Sequence, residues 1–525
     1  MMFRPKKEPF LLRLRSCCLL AVYLLATGNA ALRAQSQPPL PNIVYILADD
    51  LGYGDIQCYN AQAQVRTPHI DGLAAQGMRF SDAHTTSSVC TPSRYSILTG
   101  RYPWRSRLPV GVLRGYSRTL IEAGLPTVAM LLKTKAYHTG VVGKWHLGLD
   151  WVLKEAFGDS VSPAFNRDQL YGITSEMNPD QIDFTKAPVR GPRTQGFDYS
   201  FILPASLDMP PYCYLENDRL TEGLTAYTPG NKPDTGYTGA FWRAGLQSPS
   251  FDFYKVLPIF TGKAVHFIRE RSRSGQPFFL YFPMPAPHTP WMPERAHRGR
   301  SGAGDYGDYI QEVDAMVGRI LAVLDSTGLA QNTLVVFTSD NGPYWRGNFV
   351  KKYNHRAAGP YRGMKGDAFE GGHRVPFIVR YPARVRPGTV SKATITLASL
   401  MATCADLTGA HDPAFETEDS YSIAPVLLGQ SDTVAVQPAI VNISSKGFYD
   451  IRKGPWKLIA GLGSGGFSIP SIIKETAGLP AGQLYNLETD IGEIQNVYER
   501  YPQKVKELSA LLEQIKAAPT GKRFR

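Results

Sequence analysis

Three short apolar runs set the frame of this chain: Ile43-Val44-Tyr45-Ile46-Leu47, Phe278-Phe279-Leu280-Tyr281-Phe282 and Leu334-Val335-Val336-Phe337. Each reads as a buried strand, and helix-like stretches separate them, a succession that argues for βαβ units and a parallel sheet. Tyr309 to Leu324 carries Ile310, Val313, Met316, Val317, Ile320, Leu321 and Leu324 at helical spacing. Ala264 to Arg271 reads as another helix. Pro68 opens a short one that Gly77 would stop, and Pro126 opens one running to Lys133. Val141-Val142 and Val375 to Val379 are further strand candidates. The expected fold class is α/β, with a large, mixed, mostly parallel central sheet sandwiched by helices.

Chemistry-bearing residues gather just past the C-terminal ends of these runs: Asp49, Asp50, Lys144, His288, Asp340 and Asn341. In open α/β sheets that edge is where ligands bind. Residues 151–254 interrupt the pattern with 17 aromatics in 104 positions and ten prolines. They read as a long insertion over the ligand edge, whose rings either stack on a substrate or form the insertion's own core. From residue 430 onward short strands, Ala439-Ile440-Val441 and Trp456-Lys457-Leu458-Ile459, precede a helix from Gln503 to Lys516. This reads as a smaller α+β domain, 430–525, with a short antiparallel sheet and a terminal helix.

Composition excludes several classes. Charged residues are 19% and hydrophobic ones 43%, so the chain is no disordered polyelectrolyte. Six Cys in 525 residues do not make a disulfide scaffold. The formal charge of +12 is partly a leader effect. Arg4, Lys6, Lys7, Arg13 and Arg15 precede the apolar run Leu19 to Ala26, and small residues around Gly28 to Ala34 follow, the pattern of a signal peptide over 1–34. Without that segment 51 basic side chains face 44 acidic ones, leaving +7, of which Lys522, Arg523 and Arg525 supply three. The expectation is an exported protein, periplasmic or secreted, with no stable membrane insertion. The dispersed basic residues argue against nucleic acid as a partner. Of the cysteines outside the leader, Cys58, Cys213 and Cys404 permit one disulfide at most beside Cys90.

The segment Ser88-Val89-Cys90-Thr91-Pro92-Ser93-Arg94, followed by Leu98-Thr99-Gly100-Arg101, is the most informative in the chain. Pro92 suits the first turn of a helix, which places Cys90 at a helix start where partial positive charge favours anions. Cys-x-Pro-Ser-Arg followed by Thr-Gly-Arg resembles the sulfatase signature of the alkaline-phosphatase-like superfamily. Further similar motifs are Asn42-Ile43-Val44 through Ala48-Asp49-Asp50-Leu51-Gly52, Gly143-Lys144-Trp145-His146-Leu147-Gly148, Ser339-Asp340-Asn341-Gly342, and Arg362-Gly363-Met364-Lys365-Gly366 through Glu370-Gly371-Gly372. The resemblance spans roughly 42–500, in family order.

The resemblance implies an alkaline-phosphatase-like fold, a catalytic domain over 35–429, and the following roles. Cys90 is converted by a maturation enzyme to formylglycine, whose hydrated gem-diol attacks sulfur. Asp49, Asp50, Asp340 and Asn341, with residue 90, hold one divalent cation, Ca²⁺ by resemblance. Oxygen donors are the set that suits a hard cation. Arg94 and Lys144 steady the diol, His146 acts as base, His288 protonates the leaving oxygen, and Lys365 binds the sulfate. His266, His297 and His355 compete with His288 for the acid's place. Tyr353, Asn354, His355 and Arg356 are candidate sugar contacts, a solvated loop being the other reading. The expected activity is hydrolysis of sulfate monoesters, with a sulfated carbohydrate or small molecule as substrate. Two alternatives remain open at this point: a phosphodiesterase or phosphonate hydrolase on the same scaffold, and an inactive glycan-binding homologue.

Overall fold

The computed structural model describes residues 1, 2, 39–157, 176–234, 236, 238–433, 437–474, 476 and 478–518. The expected leader beyond Met2, the tail cations and residues 158–175 of the aromatic-rich stretch lie outside the described residues. Residues 41–525 cluster as one compact unit and Met1–Leu40 as another; the architecture below is that of the first.

The central sheet has ten strands. In chain order they are β1 (Asn42–Ala48), β2 (Met78–Phe80), β3 (His138–Lys144), β4 (Tyr199–Leu203), β5 (Leu215–Glu216), β6 (Arg219–Leu220), β7 (Phe278–Pro283), β8 (Thr333–Ser339), β9 (Phe377–Arg380) and β10 (Thr389–Ser391). Across the sheet the order is β10-β2-β9-β8-β1-β7-β3-β4-β5-β6. The block β8-β1-β7-β3-β4 is parallel throughout. β9 and β5 flank it antiparallel, which makes the sheet mixed. The α/β class and the mostly parallel sheet are as expected.

The apolar runs are strands because both faces of the sheet are covered. Val44, Ile46, Leu280, Phe282, Val335 and Phe337 join one core with Phe260 and Ile268 of a helix over Val256–Ser272 and Ile310, Val313, Val317 and Ile320 of a helix over Gly304–Ser326. On the opposite face Tyr45 and Val336 share a small internal cavity with Leu400 and Thr403 of the helix Leu400–Thr408. Each fully buried aliphatic side chain contributes about 1.5–3 kcal/mol, so polarity at these positions would be costly. Both long helices exceed the segments expected from periodicity. Gly304–Ser326 begins with a polar turn, whereas Val256–Ser272 begins with the apolar turn Val256 to Phe260, separated from the later periodic residues by Thr261, Gly262 and Lys263. The aromatic-rich stretch is only partly an overlay, because β4, β5 and β6 extend the main sheet. Phe201, Tyr212, Phe251 and Phe253 are buried in the common core, so these rings pack on protein.

Four antiparallel strands, Ile440–Ile443, Tyr449–Lys453, Trp456–Ile459 and Gln483–Asn486, make a second sheet. A helix over Pro502–Ala517 covers it with Val505, Leu508, Leu512 and Ile515. That small core also takes in Tyr102, whose hydroxyl accepts from Val441 N. A buried charge network adds to the join: Lys457 Nζ lies 2.9 Å from Glu493, 3.1 Å from Glu370, and donates to His373 at 2.9 Å. His84, Glu370 and His373 are clustered closely enough to hold a metal, but the Lys457 ammonium already balances their charge. Cys58, Cys90, Cys213 and Cys404 are all free thiols.

Candidate active site

Sheet register brings the polar strand ends together. Ala48 pairs with Ser339, Leu47 with Pro283, and Lys144 with Leu203. Asp49-Asp50, Asp340-Asn341, Lys144 and the loop carrying His288 therefore leave the sheet side by side. Asp50 and His146 adopt left-handed backbone, φ 63° and 55°, a conformation that an L residue holds only when its surroundings over-determine it.

Cys90 is the first residue of the helix Cys90–Thr99, all ten of whose residues are buried. The helix is nearly as polar as it is apolar, and internal partners satisfy its hydroxyls: Ser93 Oγ donates to Ser87 O and Thr91 Oγ1 to His146 O. Gly100 ends it at φ 67°, and a Cβ there would stand 2.6 Å from Thr417 Oγ1. Arg94 projects from it into the strand ends. Its Nε donates to Asp340 Oδ2 at 2.9 Å, Nη2 lies 2.7 Å from the same oxygen as an ion pair, and Nη1 donates to Lys144 O at 3.0 Å. Lys144 Nζ donates to Asp49 Oδ2 and to Ser206 Oγ. Lys365 Nζ lies 2.7 and 2.9 Å from the two Asp50 oxygens, and Asn341 Nδ2 donates to Asp50 Oδ1 at 2.7 Å. Burial works to raise the Asp49 carboxyl, but Lys144, His288, Arg94 and Lys365 outweigh it and hold the group well below the usual carboxylate range.

The two histidines are held differently. His146 Nε2 lies 2.8 Å from the Leu113 carbonyl, which can only accept, so Nε2 carries the hydrogen and Nδ1 its lone pair. That Nδ1 is buried without a hydrogen-bond partner. Burial, reinforced by Lys144 and Arg94, keeps the ring neutral by pushing its pKa well down. His288 turns Nδ1 to the Thr289 carbonyl and, at 3.3 Å, to Ser206 Oγ, leaving Nε2 3.7 Å from Asp50 Oδ2. Burial and then Lys365 lower its pKa as well. The Cys90 thiol is pushed up to about 11 by burial, against the pull of Lys144 and Lys365. As a thiol it is therefore a poor nucleophile near neutrality.

Asp49, Asp50, Cys90 and His288 offer ligand atoms within 4.8 Å of one another. Two buried oxygens there, Asp49 Oδ1 and Asn341 Oδ1, have no hydrogen-bond partner, an expensive arrangement unless a cation uses them. Three carboxylates face three cations (Arg94, Lys144 and Lys365), so a divalent ion would leave the floor positive and suited to an anion. The donors therefore fit a hard divalent cation.

Cys90, His146, His288 and Lys365 line one cleft of about 390 Å³, with Val89, Gly111, Val112, Arg114, Met209, Arg243, Tyr344, Ser445, Lys446 and Phe467. His266, His297 and His355 are not among its lining residues, whereas His146 and His288 are. Tyr353, Asn354, His355 and Arg356, the expected sugar contacts, are not among its lining residues either. His355 is buried, with Nε2 2.7 Å from Asp55 Oδ1, Asn354 caps a short helix over Gly347–Tyr353 in left-handed backbone, and Arg356 lines a separate depression. The residues that do face the cleft come from loops distant in sequence. Ser206 and Asp208, behind His288, follow β4 by a few residues, and the strand-end rule that flagged Lys144 would have flagged them had β4 been recognised.

A family model described as Sulfatase matches residues 41–410. The chain is 36% identical over 512 residues to an N-acetylgalactosamine-6-O-sulfatase of Bacteroides thetaiotaomicron, covering 91% of this chain and 93% of that protein. It is 31% identical over 515 residues to human arylsulfatase A, covering 94% and 91%. A solved structure described as 6S-sulf, from a Bacteroides thetaiotaomicron locus for metabolism of multiple glycosaminoglycans, superposes with a TM-score of 0.74 at 32% identity, covering 92% of this chain and 100% of that one.

Proposed function

The chain belongs to the sulfatase family and is a sulfuric ester hydrolase, and from that premise we propose that it cleaves sulfate monoesters of carbohydrates with residue 90 as formylglycine. An N-acetylhexosamine sulfated at the 6-position is the substrate class that the relatives' names favour. The observation that carries the reading is the convergence, on one buried floor, of the Cys90 helix start, an oxygen-rich ligand set and two differently held histidines. Hydrated formylglycine would supply the nucleophilic hydroxyl at residue 90. A divalent cation, Ca²⁺ in this reading, would be held by Asp49, Asp50, Asp340 and Asn341 and would supply positive charge beside the sulfate oxygens.

The chain's own groups do the rest. Lys365 and Lys144 offer ammonium donors to the sulfate and to residue 90, and Arg94 fixes Asp340 and the Lys144 backbone. His146, neutral and with an unengaged Nδ1, accepts a proton from the residue 90 side. His288, oriented through Nδ1, presents Nε2 to the leaving oxygen. The leader over 1–34 fits a chain exported to meet extracellular glycans, and a maturation enzyme acting on Cys90 completes the scheme.

The test is mass spectrometry of the residue 90 peptide alongside turnover of an aryl sulfate and an aryl phosphodiester. Loss of the thiol, gain of an aldehyde and preference for the sulfate are expected. An unmodified Cys90 in active protein overturns the mechanism, and preference for the phosphodiester overturns the activity.

A further inference from the structure

Beyond the floor, the cleft carries three more cations and no carboxylate among its lining residues. Arg114, Arg243 and Lys446 come from separate parts of the chain, and each is tied closely to a floor residue. Arg114 follows Leu113, whose carbonyl holds His146, and Leu113 N donates to Thr91 Oγ1 in the Cys90 helix. Lys446 follows Ser445, whose backbone N donates to the carbonyl of Gly366, next to Lys365. Arg243 pairs with Asp208, whose carboxylate stands 3.9 Å from His288 Nδ1. Glu176, 3.6 Å from Arg114, and Asp208, paired with Arg243, do not line the cleft. Arg114, Arg243 and Lys446 are half-buried, whereas the floor residues are at most 4% exposed. The cations therefore form a rim above the floor, beside the exposed ring of Phe467 and the buried Tyr344 that packs against it.

A cationic rim is not needed for a substrate whose only charge is the sulfate on the floor. Half-buried guanidinium and ammonium groups bind oxyanions more strongly than fully exposed ones, because less of the interaction is screened. We propose that Arg114, Arg243 and Lys446 form a second-anion subsite, taking a further sulfate or a carboxylate carried by the same or the adjoining sugar while the scissile sulfate occupies the floor. This rests on the carbohydrate sulfatase reading and narrows it to polyanionic glycans.

The test is calorimetric titration of the full-length chain with Cys90→Ala, in which ligands stay intact. Four ligands separate the sources of charge: a monosulfated hexosamine methyl glycoside, its disulfated form, and the monosulfated sugar joined to a uronic acid either as free carboxylate or as methyl ester. At low salt the second sulfate, the free carboxylate or both should tighten binding about tenfold over the monosulfate, and the methyl ester should not. The gain should shrink with added salt. It should fall below twofold in Arg114→Gln/Lys446→Gln and survive in Arg114→Lys/Lys446→Arg. Equal binding of all four ligands, a gain retained by the Gln pair, or no binding at all overturns the proposal. Turnover of the monosulfate by the unsubstituted, mature protein reads the parent activity separately, so a failure of the subsite is distinguishable from a failure of the function.

Discussion

Glu312 lies in the middle of the helix Gly304–Ser326, fully buried, and its Oε2 accepts from Glu294 N at 2.8 Å. That bond pins the loop that runs from His288 towards the helix. Oε1 has no partner, and burial pushes the carboxyl from an ordinary 4.5 to about 8. A carboxyl raised on folding keeps its proton in the native state while the unfolded chain releases it. Stability is therefore full below the unfolded value and falls as pH rises, through a window from 4.5 to about 8. Linkage puts the cost at about 1 kcal/mol at pH 5 and about 3 kcal/mol at pH 7. Glu312→Gln keeps the acceptor and cannot ionise, so it removes the pH-dependent part of that cost whatever its constant offset. A cooperative unit of this size moves by about 1 °C per kcal/mol. The melting temperature of the variant relative to the parent should thus rise by about 2 °C between pH 5 and pH 7, as read by scanning calorimetry in matched buffers. Parallel pH profiles for the two proteins would refute the assignment of a buried, protonated Glu312.

Lys457→Met strips the buried cation from between Glu370 and Glu493 and should cost about 3–5 kcal/mol; adding Glu493→Gln should recover part of it, and a melting temperature within 1 °C of the parent would contradict the network. Gly342→Ala, next in sequence to Asn341 of the proposed cation site, would set its Cβ 1.9 Å from Gly371 O. Overpacking two backbones there should destabilise by about 3 kcal/mol, and soluble protein of parental stability in urea would show that the approach is looser. Removal of divalent ions should lower the melting temperature, and Ca²⁺ restored at a hundredfold over its Kd should return about 2.7 kcal/mol; no thermal response to chelation or Ca²⁺ would refute the ligand assignment. Cys90→Ala should abolish sulfate ester turnover with the melting temperature nearly unchanged, and residual turnover above a few per cent would exclude residue 90 as nucleophile.

The sequence by itself determined the central architecture and the floor of the site, and both for local reasons. Runs such as Ile43 to Leu47 leave no polar face, so they had to be interior strands, and the residues following them had to emerge at one sheet edge. Cys90, Asp49, Asp340 and Lys365 were legible because each sits in a short contiguous motif. Where local pattern carried no signal, the outcome belonged to tertiary structure. The direction of β9 and the recruitment of β4 to the sheet depend on which edges were free, which no window of residues encodes. The same holds for the rim of the cleft. Arg114, Arg243 and Lys446 are unremarkable in sequence and meet only because three loops are pinned to His146, His288 and the Lys365 loop. Asn354 and His355 are near Lys365 in sequence and yet are spent on helix capping and a buried bond to Asp55. Chemistry held by a motif travels with the chain, whereas recognition assembled from separate loops exists only once the backbone has closed around it.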